Sequence, residues 1–342
     1  ETPRAASATT MNVPGTVILS RPDALGDAVV TMTTAGWLKK HAPSTRLVVI
    51  AKEYTRAVWE RCAHVDRIIT LEDLVRAGES TAHLELRMVR ADAIVHVFPH
   101  RSVARWAKAA GIPRRIGTSH RWWNWFTCNE RVDFSRKRSD LHEAQLNIKL
   151  LEPFGLPMPA GMNELVPHIG YTAPEPSAGT RALLRSGVKN VVLHPLLGSG
   201  VGWGPENFAA LIRALDPSRY HCLITGTAEE AERYREHLPL DAPHLTDTGG
   251  KLDLVRLMEL IGACDGFVSA STGPLHLAAA SGVRSIGLFS MRRPILPARW
   301  APIGRDAHAL VYDPLCAKCA SGSECDCIRR ISPQRVIDLL ER

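Results

Sequence analysis

No stretch of this 342-residue chain approaches the roughly 20 consecutive apolar residues a helix needs to cross a bilayer. That excludes a helical membrane span. The segment 1–15 is small, polar and Pro-containing, and it lacks the apolar centre of a secretion signal, so it reads as a disordered leader. A cytoplasmic protein is the expectation. The loop Ser20 to Gly26, after the first apolar run, has no G-x-G-x-x-G, which argues against a nicotinamide-dependent oxidoreductase. No recognised nucleic-acid motif is present either. The net charge of +7 therefore points to a phosphorylated substrate or an anionic membrane surface, with no nucleic-acid partner expected. Of eight cysteines, Cys62, Cys128, Cys222 and Cys264 sit among apolar neighbours and read as buried thiols.

What is present is a repeated α/β pattern. Short apolar runs alternate with helical periods, the signature of parallel sheets with helices on both faces. In the first half the expected strands are 16–19, 47–50, 67–69, 93–97 and, as the last, 115–117. A helix is expected from about Asp27 to Lys40. A Pro- and Gly-rich stretch from Pro153 to Gly179 reads as a linker, after which the pattern restarts with strands at 191–193, 222–225, 266–269 and 285–288. The expected plan is a leader (1–15), an N-terminal Rossmann-like domain (16–165) and a C-terminal one (166–342), the last helix being free to pack back on the first domain. Both parallel sheets should face a cleft, since ligands bind beyond the carboxyl ends of such strands.

Three strand-to-helix junctions carry candidate chemistry. In Arg21-Pro22-Asp23-Ala24-Leu25-Gly26-Asp27, Gly26 permits a tight turn and Asp27 opens a helix. The plain reading of Asp27 is an N-cap. The functional one is a general base within reach of a sugar hydroxyl. In the run from His194 to Glu206, Gly198, Ser199 and Gly200 form a loop whose backbone N–H groups can approach a diphosphate before a helix opens at Pro205. Ser271-Thr272-Gly273-Pro274-Leu275-His276 again runs from a strand into a helix. Ser271 and Thr272 can cap or donate to phosphate, Gly273 allows close approach, and His276 can face the same anion one turn later.

Gly26-Asp27, Trp203-Gly204-Pro205-Glu206-Asn207-Phe208 and Ser271-Thr272-Gly273-Pro274-Leu275-His276-Leu277-Ala278-Ala279-Ala280, in that order, resemble glycosyltransferase family 9. Its main members are the ADP-heptose:lipopolysaccharide heptosyltransferases, and the likeness runs from about Val17 to Val336. The resemblance implies a GT-B fold, with the acceptor on the first domain and the nucleotide sugar on the second. It also implies inversion at the anomeric carbon without a catalytic metal or cofactor. Asp27 matches the family's base. Thr272, Gly273 and His276 match its donor-phosphate segment. Glu229 or Glu230 falls where a carboxylate meets the ribose, while Thr248, Gly249, Gly250 and Leu252 edge the base pocket. The sequence departs from some members at Val201, where they carry a lysine. Arg292 or Arg293 is the candidate replacement for that charge.

On the acceptor side, Arg21, Arg101 and Arg115 are candidate contacts for an anionic lipopolysaccharide precursor. Further arginines surround Trp122, Trp123 and Trp125, whose plain reading is core or hinge packing. Such a surface also suits peripheral contact with the cytoplasmic face of the inner membrane. Cys316-x-x-Cys319 and Cys325-x-Cys327 admit three readings: a metal site, a disulfide or redox pair, and reduced thiols. Competing functions are a GT-B transferase using another nucleotide sugar for a different glycan, epimerisation or hydrolysis of a nucleotide sugar, and non-catalytic nucleotide-sugar binding.

Overall fold

The structure is a computed structural model and describes residues 11–195 and 202–342. Contacts divide the chain into two compact units. The first comprises Glu1–Asp23, Thr31–Ser139 and Glu143–Gly170. The second comprises Ala24–Val30, Asp140–His142 and Tyr171–Arg342.

The first unit holds β1 (Thr16–Ser20), β2 (Arg46–Ala51), β3 (Arg67–Thr70), β4 (Ala93–His96), β5 (Arg114–Thr118) and β6 (Glu130–Val132). They form one sheet in the order β3-β2-β1-β4-β5-β6. The second unit holds β7 (Lys189–His194), β8 (Tyr220–Ile224), β9 (Leu245–Asp247), β10 (Gly266–Ala270), β11 (Arg284–Phe289) and β12 (Ala307–Val311), ordered β12-β11-β10-β7-β8-β9. Neighbouring strands pair in parallel throughout. Each sheet therefore reverses direction once, between β1 and β4 in the first unit and between β7 and β10 in the second. This is the doubly wound plan expected from the alternating pattern.

Expectation fell short by three strands, β6, β9 and β12. The first half does not end at β5. All three lie on sheet edges. β6 and β9 have three residues each, and no residue of β12 is fully buried. An edge strand has a neighbour on one side only, so the continuous apolar run of a strand covered on both faces is not required there.

The helices that place functional residues are α1 (Leu25–His41), α2 (Arg101–Ala109), α3 (Pro205–Ala214), α4 (Ala228–Arg235), α5 (Leu254–Gly262), α6 (Gly273–Ala280), α7 (Ala317–Ser321) and α8 (Pro333–Glu341). Central strands bury Ile18, Val48, Ile50 and Ile94 against Val103 and Trp106 of α2 in the first unit. In the second, Val191, Leu193 and Cys222 pack with Phe208 and Leu211 of α3. α8 packs on α3 and β11 of this second unit. Burying each such aliphatic or aromatic side chain stabilises by about 1.5–3 kcal/mol. The Pro-rich stretch expected as a linker contains 3-10 turns at Met162–Glu164 and Val166–His168, and the division between units falls within it.

Candidate functional site

The reversal between β7 and β10 puts the ends of both strands at one crevice of the second sheet, the usual ligand position of such a sheet. A cavity opens there, lined by His194, Thr225, Gly226, Thr227, Glu230, Thr248, Leu252, Asp253, Leu254, Leu257 and Pro274. Two helix N-termini border it. Thr227 caps α4 by accepting from the Glu230 N–H, and Asp253 caps α5 by accepting from the Arg256 N–H. At the start of α6, Thr272 accepts from the Leu275 N–H, and Pro274 of that same turn reaches the cavity wall. N-termini supply unpaired N–H groups and positive potential, which suits anions. Leu252, Leu254 and Leu257 give one side an apolar face beside the Asp253 cap, and the Glu230 side carries a second carboxylate. His194 sits at the floor, its Nδ1 3.0 Å from Thr225 Oγ1. Burial holds His194 below the usual histidine pKa, opposed by the nearby Glu230 carboxylate. His194 and Thr225 were not singled out from sequence; a polar residue ending an otherwise apolar strand was their only signal.

The structure separates the two candidate glutamates. Glu230 lines the cavity, and its Oε2 accepts from the Thr227 N–H at 2.8 Å, completing a capping box. Glu229 points to solvent and does not line it. Of the turn after β9, Thr248 and Leu252 reach the cavity. Gly249 and Gly250 stand behind it: the Gly250 N–H donates to Gly226 O at 2.9 Å, and a Cβ on Gly249 would strike the Tyr234 hydroxyl. Arg235 holds the turn by donating to Asp247 and to Gly249 O. Gly198, Ser199 and Gly200 lie outside the described residues.

Gly273 and Gly26 meet. A Cβ on Gly273 would come within 2.9 Å of Leu25 Cβ, and one on Gly26 within 3.1 Å of His276 Cδ2. Two glycines at one contact let backbone approach backbone, so the first turn of α1 clusters with the second unit. α1 starts at Leu25, two residues earlier than expected, and Asp27 lies inside its first turn, not at the cap. His276 is 4% exposed. Its Nδ1 is buried with no hydrogen-bond partner among the described residues. Burial, reinforced by nearby His142, lowers its pKa to about 3, so the ring is neutral at physiological pH. Ser269 Oγ and Thr272 Oγ1 lie 2.9 Å apart, joining the end of β10 to the cap of α6.

In the first unit, the residues after β1 and β4 form a polar network. Arg21 is 2% exposed and ion-pairs with Asp23 and Glu143, each at 3.6 Å. Arg136 donates to the same Glu143 at 2.9 Å and to Asn147 at 3.0 Å. Burial brings the Arg21 guanidinium down to about 10, still cationic at neutral pH. His96, at the end of β4, has both ring nitrogens buried without a partner among the described residues, and burial lowers its pKa to about 4. Sequence reasoning passed over it because it ends an otherwise apolar run. The candidate acceptor arginines are not brought together. Arg115 spends its guanidinium on the carbonyls of Thr127 and Ile112, at 2.7 and 2.5 Å. Arg101 is exposed, 4.9 Å over the Trp122 ring.

Trp203 of the Trp-Gly-Pro element is fully buried and donates through Nε1 to Ile331 O at 2.7 Å, so it is core, not ligand wall. Arg293 pairs with Asp140, and Arg292 lines a cavity with Cys325; neither lines the His194–Pro274 cavity. The four C-terminal cysteines do converge, with all four Sγ atoms within 4.8 Å of one another.

The family description "Glycosyltransferase family 9 (heptosyltransferase)" matches residues 83–326. A curated protein of Haemophilus influenzae described as a putative glycosyltransferase is 25% identical over 317 residues, covering 87% of this chain and 89% of that one. The solved structure of E. coli ADP-heptose lps heptosyltransferase II superposes with a TM-score of 0.73 at 19% identity, covering 95% of this chain and 97% of that one. E. coli heptosyltransferase WaaC, solved with ADP, gives a TM-score of 0.70 at 12% identity, with 95% and 99% covered. These likenesses establish the GT-B fold.

Proposed function

The chain belongs to glycosyltransferase family 9, and from that premise we propose an inverting transferase that carries a heptose from ADP-heptose to the inner core of a lipopolysaccharide precursor. The observation that carries this reading is the cavity at the end of β7 and β8. The apolar side chains of Leu252, Leu254 and Leu257 suit a purine, the Glu230 carboxylate suits two ribose hydroxyls, and the starts of α4, α5 and α6 suit phosphates. ADP in the E. coli relative supports the choice of nucleotide.

In this mechanism Asp27 takes the proton of the acceptor hydroxyl. The hydroxyl oxygen attacks the anomeric carbon from the face opposite the diphosphate. The bond from that carbon to the phosphate oxygen breaks, and ADP leaves with the electron pair. The N-terminus of α6, capped by Thr272 and opened by Gly273, stabilises the charge on the departing diphosphate. We assign this role to helix N-termini and not to a catalytic divalent cation, so added Mg2+ is expected to leave turnover unchanged.

Calorimetry with ADP, UDP and GDP, followed by single-turnover transfer by Asp27→Asn, tests the reading. ADP is expected to bind selectively. Asp27→Asn is expected to bind it as the native protein does while transferring at least about 100-fold more slowly. Preference for UDP or GDP, or undiminished transfer by Asp27→Asn, overturns it.

A further inference from the structure

We propose that Cys316, Cys319, Cys325 and Cys327 form a four-thiolate site for one tetrahedral divalent metal ion, zinc or ferrous iron, that pins loop 290–295 to the C-terminal segment.

The local fold brings the ligands together. Cys316 is the N-cap residue of α7 and Cys319 lies in its first turn, three residues on, so the two share a helix face. The chain reverses at Gly322, which takes the left-handed conformation at φ 76°. Cys325 and Cys327 then return to the same point. The Sγ atoms of Cys316 and Cys325 are 3.5 Å apart, and those of Cys325 and Cys327 are 3.0 Å apart.

A tetrahedron of sulfurs each about 2.3 Å from a central ion has edges of about 3.8 Å. The observed spacings, from 3.0 Å to a limit of 4.8 Å, bracket that value. A disulfide takes sulfurs in pairs at about 2.05 Å, whereas here every sulfur faces three others. Four thiolates with no competing oxygen or nitrogen donor select zinc or iron over calcium or magnesium.

The surroundings fit a loaded site. Cys319 and Cys327 are buried, while Cys316 and Cys325 are half-buried, so the cluster is shielded on one side and reachable from the other. The Cys327 N–H donates to Cys325 Sγ at 3.4 Å. Four thiolates around a divalent ion leave a net charge of −2, and the cavity that Cys325 borders carries the cations Arg292, Lys318 and Arg329 against the carboxylates Glu324 and Asp326, a small positive excess. Hydrogen-bond donors and cations placed around the sulfurs in this way orient and stabilise metal ligands.

The site also has something to hold. Cys319 hydrogen-bonds to the backbone of Met291, and Cys319 and Cys325 border a second cavity together with Ser290, Arg292, Arg293, Pro294 and Ile295. Cys327 opens the turn Cys327–Arg330, where Arg329 O accepts from Asn207 of α3 at 2.8 Å. None of the four cysteines lines the nucleotide cavity, so the ion is structural and the inference stands whatever donor the enzyme uses.

The test uses the full chain, purified without chelator. Metal analysis is expected to find one zinc or iron per chain, and which element is present identifies the native ion. Exchange with Co2+ should give the visible absorption of a four-sulfur tetrahedral site. Alkylation mapped by mass spectrometry should show the four cysteines protected with metal and modified after its removal, with loss of amide-exchange protection in 290–295. Cys316→Ser/Cys325→Ser should lose the metal. Because that variant can fail to fold, the Co2+ spectrum and alkylation pattern of the native chain decide the matter. A metal-free chain that takes up no Co2+ overturns the proposal. So does a mass deficit showing a disulfide, or alkylation indifferent to added Zn2+ and Fe2+.

Discussion

Glu229 and Glu230 are neighbours in one helical turn with the same charge, and no sequence rule distinguishes which lines the cavity. Geometry does. Glu230 is turned toward the cavity and is held by the Thr227 N–H, whereas Glu229 faces water. Glu230→Gln preserves the capping box, because glutamine serves at that position as well as glutamate. It removes only the charge offered to the ligand. ADP affinity is expected to fall about tenfold, the loss of about 1.4 kcal/mol when a charge-assisted hydrogen bond becomes a neutral one. Glu229→Gln should leave affinity unchanged. Calorimetry on both variants checks this, and equal effects would remove Glu230 from the site. Sequence motifs marked the segments that border the cavity at this scale but did not assign duties within them. Thr272 is a helix cap, Trp203 is core and Arg115 braces carbonyls. The last two roles rest on neighbours more than ten residues away in the chain, Ile331 for Trp203 and Thr127 for Arg115.

Among elements, interior ones were legible and peripheral ones were not. β1, β2, β7 and β10 are buried along almost their whole length and carry apolar runs at their centres. β6, with Glu130 and Arg131 in three residues, carries no such mark. The turn Asn124–Thr127 and its flanks were ambiguous in the same way, since tryptophans suit either core or surface. The structure leaves Trp122, Trp125 and Phe126 about 59%, 58% and 69% exposed. Arg101 stacks 4.9 Å over Trp122 and Arg131 4.5 Å over Trp125, and Lys108 donates to Phe126 O at 2.9 Å. No helix among the described residues is long and apolar enough to cross a membrane. An aromatic turn ringed by cations is instead suited to the interface of an anionic bilayer, each cation near the surface adding about 1 kcal/mol. We therefore propose that this turn gives the enzyme peripheral contact with an anionic membrane surface. In co-sedimentation with vesicles containing anionic phospholipid, the native chain should bind in a salt-sensitive manner. Trp122→Ala/Trp125→Ala/Phe126→Ala should lose most of that binding while ADP affinity is retained. Equal partition of both proteins would sink the idea.

Across the molecule, the repeated doubly wound plan has a shared consequence for acid stability. Each unit buries a histidine beside its switch point, His96 in the first and His276 in the second, with pKa values lowered by burial to about 4 and about 3. In the unfolded chain both titrate near 6.5. Above that pH neither state binds the proton and the pair costs nothing. As pH falls below 6.5 the unfolded chain takes up protons that the folded chain refuses. Stability then declines by up to about 1.4 kcal/mol per pH unit for each histidine, until the folded values are reached. Carboxylates held below their ordinary range, such as Asp247, whose hydrogen bonds from Tyr234 and Arg235 outweigh its burial, add their own loss only as pH approaches the ordinary carboxylate value near 4. The interval from about pH 6.5 to 5 therefore belongs to the histidines. Thermal unfolding followed across pH 8 to 5 is expected to show a midpoint that is level above 6.5 and falls below it. His276→Gln should make the decline shallower, since glutamine keeps a polar side chain without a titrating group. A midpoint that stays level to pH 5, or a slope that the substitution does not change, would show that His276 is protonated in the folded chain and paired there.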